Sequence, residues 1–253
     1  MNRSHDLAPE RAPRLFCPGD ILAGGLLDLP DQAAHHAVRV LRLGLGDALR
    51  LFNGEGAEWE AEIAGVRKSA VSVRVGARLE RDVEARLHVL LAQAMSTRER
   101  MDLTLQKAVE LGVAQIQPLE TRRSLVRLRE ERASRRIEHW RNLTIAACEQ
   151  CGRNRIPTVH PIEGLSDWLG ALPRDAAATR LILSPEAPLS LRELPAPQRI
   201  VLLAGPEGGF APEEQELAQL CGFRAVRLGP RILRTETAAL AAVAAMHALW
   251  GDF

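Results

Sequence analysis

A change of hydrophobic rhythm near Leu87 limits what this chain can fold into. Upstream, apolar residues come in short runs of period 2. Ala48–Phe52 ends at Asn53-Gly54, a dipeptide suited to hairpin turns. Residues 58–63 and 70–75 alternate apolar and polar, the second run entered through Arg67-Lys68-Ser69. Closely spaced short strands of this kind predict a small β-barrel. Residues 31–41 in front of them read as one short helix, and the charged run 80–86 reads as a linker. Downstream the pattern becomes strand–helix alternation. Residues 87–92 are nearly all apolar, as in a strand buried on both faces. Ser96 or Thr97 then caps a helix whose Met101, Leu105, Ala108, Val109 and Leu111 share one face, and Gly112 stops it. Strands fit 113–119, 180–183, Arg199–Ala204 and 225–228, and helices fit 130–149, Pro212–Leu220 and Thr235–Trp250. This second part is an α/β domain with a mostly parallel sheet.

Hydrophobic residues make up 46% of the chain, which excludes disorder as its main state. Lys+Arg 33 against Asp+Glu 32 gives net charge no say about a nucleic-acid partner. The cations are lopsided, however: all but Lys68 and Lys107 are Arg, whose planar fork suits phosphates and base edges. They crowd into 121–136, where Arg122, Arg123, Arg127, Arg129, Arg132, Arg135 and Arg136 outnumber Glu130 and Glu131. A solvated helix face explains part of this excess, and a phosphate backbone would seek it. Arg14, Arg39 and Arg42 extend the same surface in this reading. No stretch approaches the apolar length that spans a bilayer. Residues 1–13 are polar and read as a disordered arm. Four Cys make no disulfide framework, so a reducing, cytoplasmic setting is expected.

Two glycine-bearing segments carry the chemistry. In the first, Ile200-Val201-Leu202-Leu203-Ala204 runs into Gly205-Pro206-Glu207-Gly208-Gly209, and a helix follows. Ligands of open α/β sheets sit at such strand ends. The Walker pattern and the dinucleotide glycine spacing are both missing, and Glu207 would repel phosphate. A ligand neutral or cationic at its reacting atom fits better; a plain tight turn remains the alternative. In the second, Leu228-Gly229-Pro230-Arg231-Ile232-Leu233-Arg234 leads to a helix expected to have Thr235 as N-cap and Glu236 in its first turn. Arg231 and Arg234 oppose that helix's dipole, which points to an anionic partner. The Ala-rich helix itself suits either core packing or subunit contact. A third segment, Cys148-Glu149-Gln150-Cys151-Gly152-Arg153-Asn154-Arg155, invites a metal or redox reading. It lacks the second ligand pair of a zinc site, so no metal is expected, and it reads as a helix C-cap leading to a basic loop.

These segments occur in order with Gln106-Lys107-Ala108-Val109-Glu110-Leu111-Gly112-Val113 and with His36 and Val40-Leu41-Arg42. Together they resemble the ribosomal RNA small subunit methyltransferase E family, which methylates uridine at N3 in 16S ribosomal RNA. The resemblance covers nearly the whole chain from Arg14 onward. It implies a PUA-like barrel over 14–80 and, over 81–253, a SPOUT-type α/β fold with a trefoil knot. General folding rules would argue against that knot. It further implies S-adenosylmethionine as cofactor, a homodimer, no membrane, and 16S ribosomal RNA or the small ribosomal subunit as partner. The matching cofactor positions are Leu183, Ala204, Gly205, Glu207, Gly208, Gly209, Leu228, Gly229, Leu233 and Thr235. Arg14, Arg39, Arg42, Arg122, Arg123, Arg153 and Arg231 are the expected RNA ligands.

The chemistry can be reasoned beside the resemblance. Uridine N3 carries a proton and becomes nucleophilic as that proton leaves. A cation near O2 or O4 would stabilise the resulting anion. Arg234 is the first candidate and Arg231 the second. Glu236 or Glu207 would accept the proton. Competing readings are a related SPOUT enzyme acting on ribose 2′-OH or transfer RNA, and a non-catalytic RNA-binding assembly factor.

Overall fold

In the computed structural model the chain divides into two units, Met1–Glu84 with Cys148–Ile156, and Ala85–Ala147 with Pro157–Phe253. The structure describes residues 12–67, 70–124, 130–173 and 177–253. Most of the expected N-terminal arm, Lys68 and Ser69 of the expected turn, and Arg127 and Arg129 lie outside the described residues.

The first unit is built on β1 (Arg14–Phe16), β2 (Leu26–Asp28), β3 (Ala48–Phe52), β4 (Glu58–Arg67) and β5 (Ala70–Leu79). They form one sheet in the order β1-β3-β4-β5-β2. The β1–β3 ladder is parallel and the others antiparallel. Period-2 alternation puts Trp59, Ala61, Ile63, Val71, Val73 and Val75 into one core with Leu15, Leu49 and Leu51. The expected single helix is really two kinds of helix. α1 (Asp31–His35) continues as a π-helical turn over His36–Val40, in which Leu41 N–H donates to the His36 carbonyl across five residues. Ala33, Ala34 and Ala37 still share a face and pack into the core.

The segment Cys148–Ile156 is structural glue of this unit. Gly152, with φ +91, ends the preceding helix as expected. The Glu84 carboxylate then receives Arg153 through Nε at 2.9 Å and Nη2 at 2.8 Å. It also accepts the N–H groups of Asn154 and Arg155, at 2.9 and 2.8 Å. The Cys148 thiol is buried, and that burial pushes it up to about 12. Glu58, fully buried, faces Arg14 Nε at 3.3 Å, with Arg50 and Arg81 each at 4.0 Å. Arg14 also donates to the Arg153 carbonyl at 2.9 Å and to Asn154 Oδ1 at 2.8 Å, and lies over the Phe52 ring. Two expected RNA ligands are therefore corrected: Arg14 has 7% of its side chain exposed, Arg153 is equally buried, and both are committed to internal partners.

The second unit comprises β6 (His88–Ala94), α2 (Arg98–Glu110), β7 (Gln115–Glu120), α3 (Glu130–Cys151), β8 (Thr158–Val159), β9 (Glu163–Gly164), α4 (Leu165–Ala171), β10 (Ala178–Leu183), β11 (Leu189–Ser190), β12 (Arg199–Ala204), α5 (Pro212–Leu220), β13 (Arg224–Arg227) and α6 (Thr235–Trp250). The last residues of α3 count with the first unit. The sheet runs β11-β13-β10-β12-β6-β7-β8, with β9 also on β7, and every ladder is parallel. Each central strand is buried on both faces. Val89, Leu91, Ile200 and Leu202 pack with α2 and α6 through Met101, Leu105, Val243 and Met246. The alternate residues Ala92, Ala94 and Leu203 pack with Trp168, Phe210 and Phe223. Because β13, β10 and β12 are neighbours and parallel, their carboxyl ends open side by side. No helix is long and apolar enough to cross a membrane among the described residues.

Two stability predictions follow from the first unit. Arg14→Ala leaves Glu58 as a buried charge without its nearest cation, so urea unfolding should lose about 3 kcal/mol; an unchanged midpoint would show that Arg50 and Arg81 suffice. Burial pushes the Glu149 carboxyl above its usual range, while the Phe16 N–H and His36 pull it down. The folded chain thus binds this proton more tightly than the unfolded chain does. Ionisation costs stability as pH rises through the raised value, and costs nothing below the ordinary carboxylate range. Glu149→Gln should raise the thermal midpoint at pH 8 and leave it unchanged near pH 3; a fall at pH 8 would mean that the charge-assisted hydrogen bond from Phe16 N–H at 3.0 Å dominates.

Candidate active site

The three neighbouring strand ends enclose a cavity of about 490 Å³. That is the size range of small-molecule and cofactor sites. Its walls are the turns after β10 (Leu183, Ser184, Pro185), after β12 (residues 204–210) and after β13 (Leu228, Gly229 and residues 231–235). Val226, Leu183, Leu228 and Leu233 give the lining an apolar part. Two of the turns in its walls need glycine: Gly209 has φ +66 and Gly229 φ +129, conformations that a side chain disfavours.

Thr235 fastens two of these turns together. The expected N-cap is corrected: Arg234 holds that position and Thr235 is the first helical residue. Its hydroxyl, freed from capping, donates to the Gly205 carbonyl at 2.5 Å and accepts from Gln93 Nε2 at 3.1 Å. Gln93, buried near the end of β6, also donates to the Ala94 carbonyl at 3.1 Å. The turn after β12 is fastened on its outer side as well. Arg123 Nη1 donates to the Gly208 carbonyl at 3.0 Å. Glu214 accepts the N–H groups of Ala211 and Arg122, both at 2.8 Å, and so ties the start of α5 to the turn after β7.

Every expected cofactor position lines the cavity, and so do Arg231 and Arg234, both exposed. Glu236, expected to be catalytic, is not among the lining residues. Its carboxylate sits 3.7 Å from Arg100 Nε, because the first turn of α6 points it toward α2. Glu207 lines the cavity, accepting from Arg100 Nη1 at 2.8 Å, and its Oε2 is buried with no hydrogen-bond partner. Of the expected RNA ligands, Arg39, Arg42, Arg122 and Arg123 are exposed. Arg42 holds a left-handed backbone, φ +58, and Arg122 pairs with Glu213 at 3.1 Å. Sequence reasoning missed Arg100, Phe210 and Gln93. Arg100 was within reach: with Arg98 it opposes the dipole at the start of α2, the same anomaly that singled out Arg231 and Arg234.

Thr235→Val keeps the shape and removes the hydroxyl, leaving the Gly205 carbonyl and the Gln93 amide each short of a partner. Calorimetry should then find affinity for S-adenosylmethionine down about tenfold, equivalent to roughly 1–2 kcal/mol, with the fold kept by circular dichroism. Unchanged affinity would remove the hydroxyl from the site's architecture.

The geometry agrees with the comparisons. Residues 83–247 match the RNA methyltransferase domain family, and residues 29–76 match the RNA methyltransferase PUA domain family. A ribosomal RNA small subunit methyltransferase E from Buchnera aphidicola is 31% identical over all of both chains. The protein of that name from Neisseria gonorrhoeae, solved bound to S-adenosylmethionine, is 41% identical over 96% of this chain and 99% of its own, with TM-score 0.90. A methyltransferase from Legionella pneumophila, solved with the same cofactor, is 41% identical over 96% of this chain and 100% of its own, with TM-score 0.92. By these matches and by its site, the chain belongs to the ribosomal RNA small subunit methyltransferase E family.

Proposed function

We propose that this chain transfers a methyl group from S-adenosylmethionine to N3 of a uridine in small-subunit ribosomal RNA. The observation that carries the reading is the cavity between the stapled turns. Its apolar lining residues offer a surface for an adenine. The Glu207 carboxylate among its lining residues suits a cationic donor. Phosphate would meet a carboxylate there instead of a cradle of N–H groups. When bound, S-adenosylmethionine supplies an electrophilic methyl on a sulfonium.

The chain's own residues do the rest. Leu183, Leu228 and Leu233 exclude water from the reacting atoms. The stapled turns hold donor and base in line, the largest source of rate in a transfer of this kind. Arg234, exposed at the cavity, neutralises charge on the O2 or O4 oxygen as N3 loses its proton. Arg231 and Arg122 meet the flanking backbone, and the target base leaves its stack to enter. Residues 14–80, with the returning segment Cys148–Ile156, form the RNA-gripping unit through Arg39 and Arg42. A trefoil knot around the cofactor turns, a homodimer and a cytoplasmic location belong to the same proposal.

Mass spectrometry of digested small-subunit RNA after reaction should find N3-methyluridine. Methyl on ribose, or on transfer RNA only, would favour a related SPOUT activity. Arg234→Ala should slow transfer about 100-fold and leave S-adenosylmethionine affinity within about threefold. Intact function in that variant would instead favour a non-catalytic assembly factor.

A further inference from the structure

Arg100 is the charged cavity residue that comes from outside the three turns. It stands in the first turn of α2, where a cation is disfavoured by the helix dipole. Its contacts offset that cost. Nη1 meets Glu207 Oε1 at 2.8 Å, and Nε lies 3.7 Å from Glu236 Oε2. The Thr97 N–H also approaches Glu207 Oε1, at 3.4 Å. One oxygen of Glu207 is therefore held by two donors from the start of α2. The other, Oε2, is buried and has no hydrogen-bond partner; the same is true of Glu236 Oε2, but of the two side chains Glu207 is the one that lines the cavity. A carboxylate fixed in this manner has one acceptor left to offer.

We propose that Arg100 is a positioning residue that holds Glu207 by Oε1 so that Oε2 accepts the proton leaving the target nitrogen. This rests on the N3-methylation reading. In the step, the N3–H bond breaks and its proton passes to Glu207 Oε2. The N3 electron pair forms the bond to the methyl carbon, and the carbon–sulfur pair stays on sulfur. Arg100 also reaches Glu236 at the start of α6, so the turn after β12 and the helix after the last turn are held by one guanidinium. That arrangement gives Glu236 a supporting role behind Arg100 and gives the acceptor's role to Glu207.

The test uses the full-length enzyme, small-subunit RNA and S-adenosylmethionine. Arg100→Met should lower kcat about 100-fold, with both KM values and the calorimetric cofactor affinity within about threefold. Arg100→Lys should recover about tenfold of that loss, because an ammonium still reaches Glu207 Oε1 while giving up the second contact. Glu207→Gln combined with Arg100→Met should be no slower than Glu207→Gln alone, as expected when one residue acts only through another. Wild-type kcat in Arg100→Met, or losses that multiply in the double variant, would overturn the proposal. So would a loss confined to cofactor affinity, which would make Arg100 a cofactor anchor. If the wild-type protein bound no S-adenosylmethionine or left N3 unmethylated, the functional reading itself would fail, whatever the variants do.

Discussion

The Thr235 hydroxyl is the contact on which the site's geometry rests. A parallel sheet brings strand ends together at one edge, but it does not decide the shape of the turns that leave them. Glycine-rich turns least of all have a shape of their own, since each glycine has many backbone states to lose. Here the turn after β12 and the start of α6 are joined by one side chain that donates to Gly205 and accepts from Gln93. Gln93 is itself fixed in the central strand β6, deep between the two core clusters. Packing of α6 through Ala239, Ala242, Val243 and Met246 is thereby transmitted to the cavity wall. The small side chains of that helix serve the core in this unit, one of the two uses its composition allowed.

The first unit depends on a different kind of contact. Its sheet has an apolar core, yet the surroundings of that core are organised by one buried and one half-buried carboxylate. Glu58 gathers arginines, and Glu84 takes a bidentate arginine together with two backbone N–H groups. Such groups are poor sources of net stability, because desolvation cancels much of the attraction. They are demanding about geometry, however, since a misplaced partner leaves a charge buried. Cys148–Ile156 comes from far along the sequence, and hydrogen bonds from Gly56 N–H to Asn154 and from Ile156 N–H to Gly54 register it against the β3–β4 turn. Directional contacts of this sort select one register where apolar packing alone would accept several.

The pattern of elements was legible because it is local. Continuous apolar runs mark β6 and β12, and 3.6-residue spacing marks α2. Gly112 and Gly152 end helices where a left-handed residue is needed, with φ +86 and +91. What the sequence hid was pairing across distance. Arg14 and Arg153 look like any other arginines until Glu58 and Glu84 are placed beside them. Thr235 has the chemistry of an N-cap, and only the fold reveals a better acceptor at Gly205. Glu236 and Glu207 are equivalent as text, while the direction of the first turn of α6 separates them. The π-helical turn after α1 leaves no mark in composition either, since it is a hydrogen-bond choice made by the surrounding packing.

Charge is sorted between the depth of the cavity and its rim. Arg100 is shared by Glu207, which lines the cavity, and Glu236, which lies behind the lining, so the trio as a whole carries one excess negative charge. At the rim, Arg231 and Arg234 are exposed and take no carboxylate among the described residues. A sulfonium donor with its ammonium and carboxylate carries one net positive charge, so the interior attracts it and the rim attracts a polyanion. The two ligands are directed to different depths by sign alone. The same balance bears on turnover. Once the methyl has left, the donor's product is neutral overall, and the interior loses its electrostatic hold on it. The rim keeps its attraction for RNA through the whole cycle. Release of the spent donor is therefore favoured by the chemistry itself, while release of the RNA must rely on screening and on competition for phosphates.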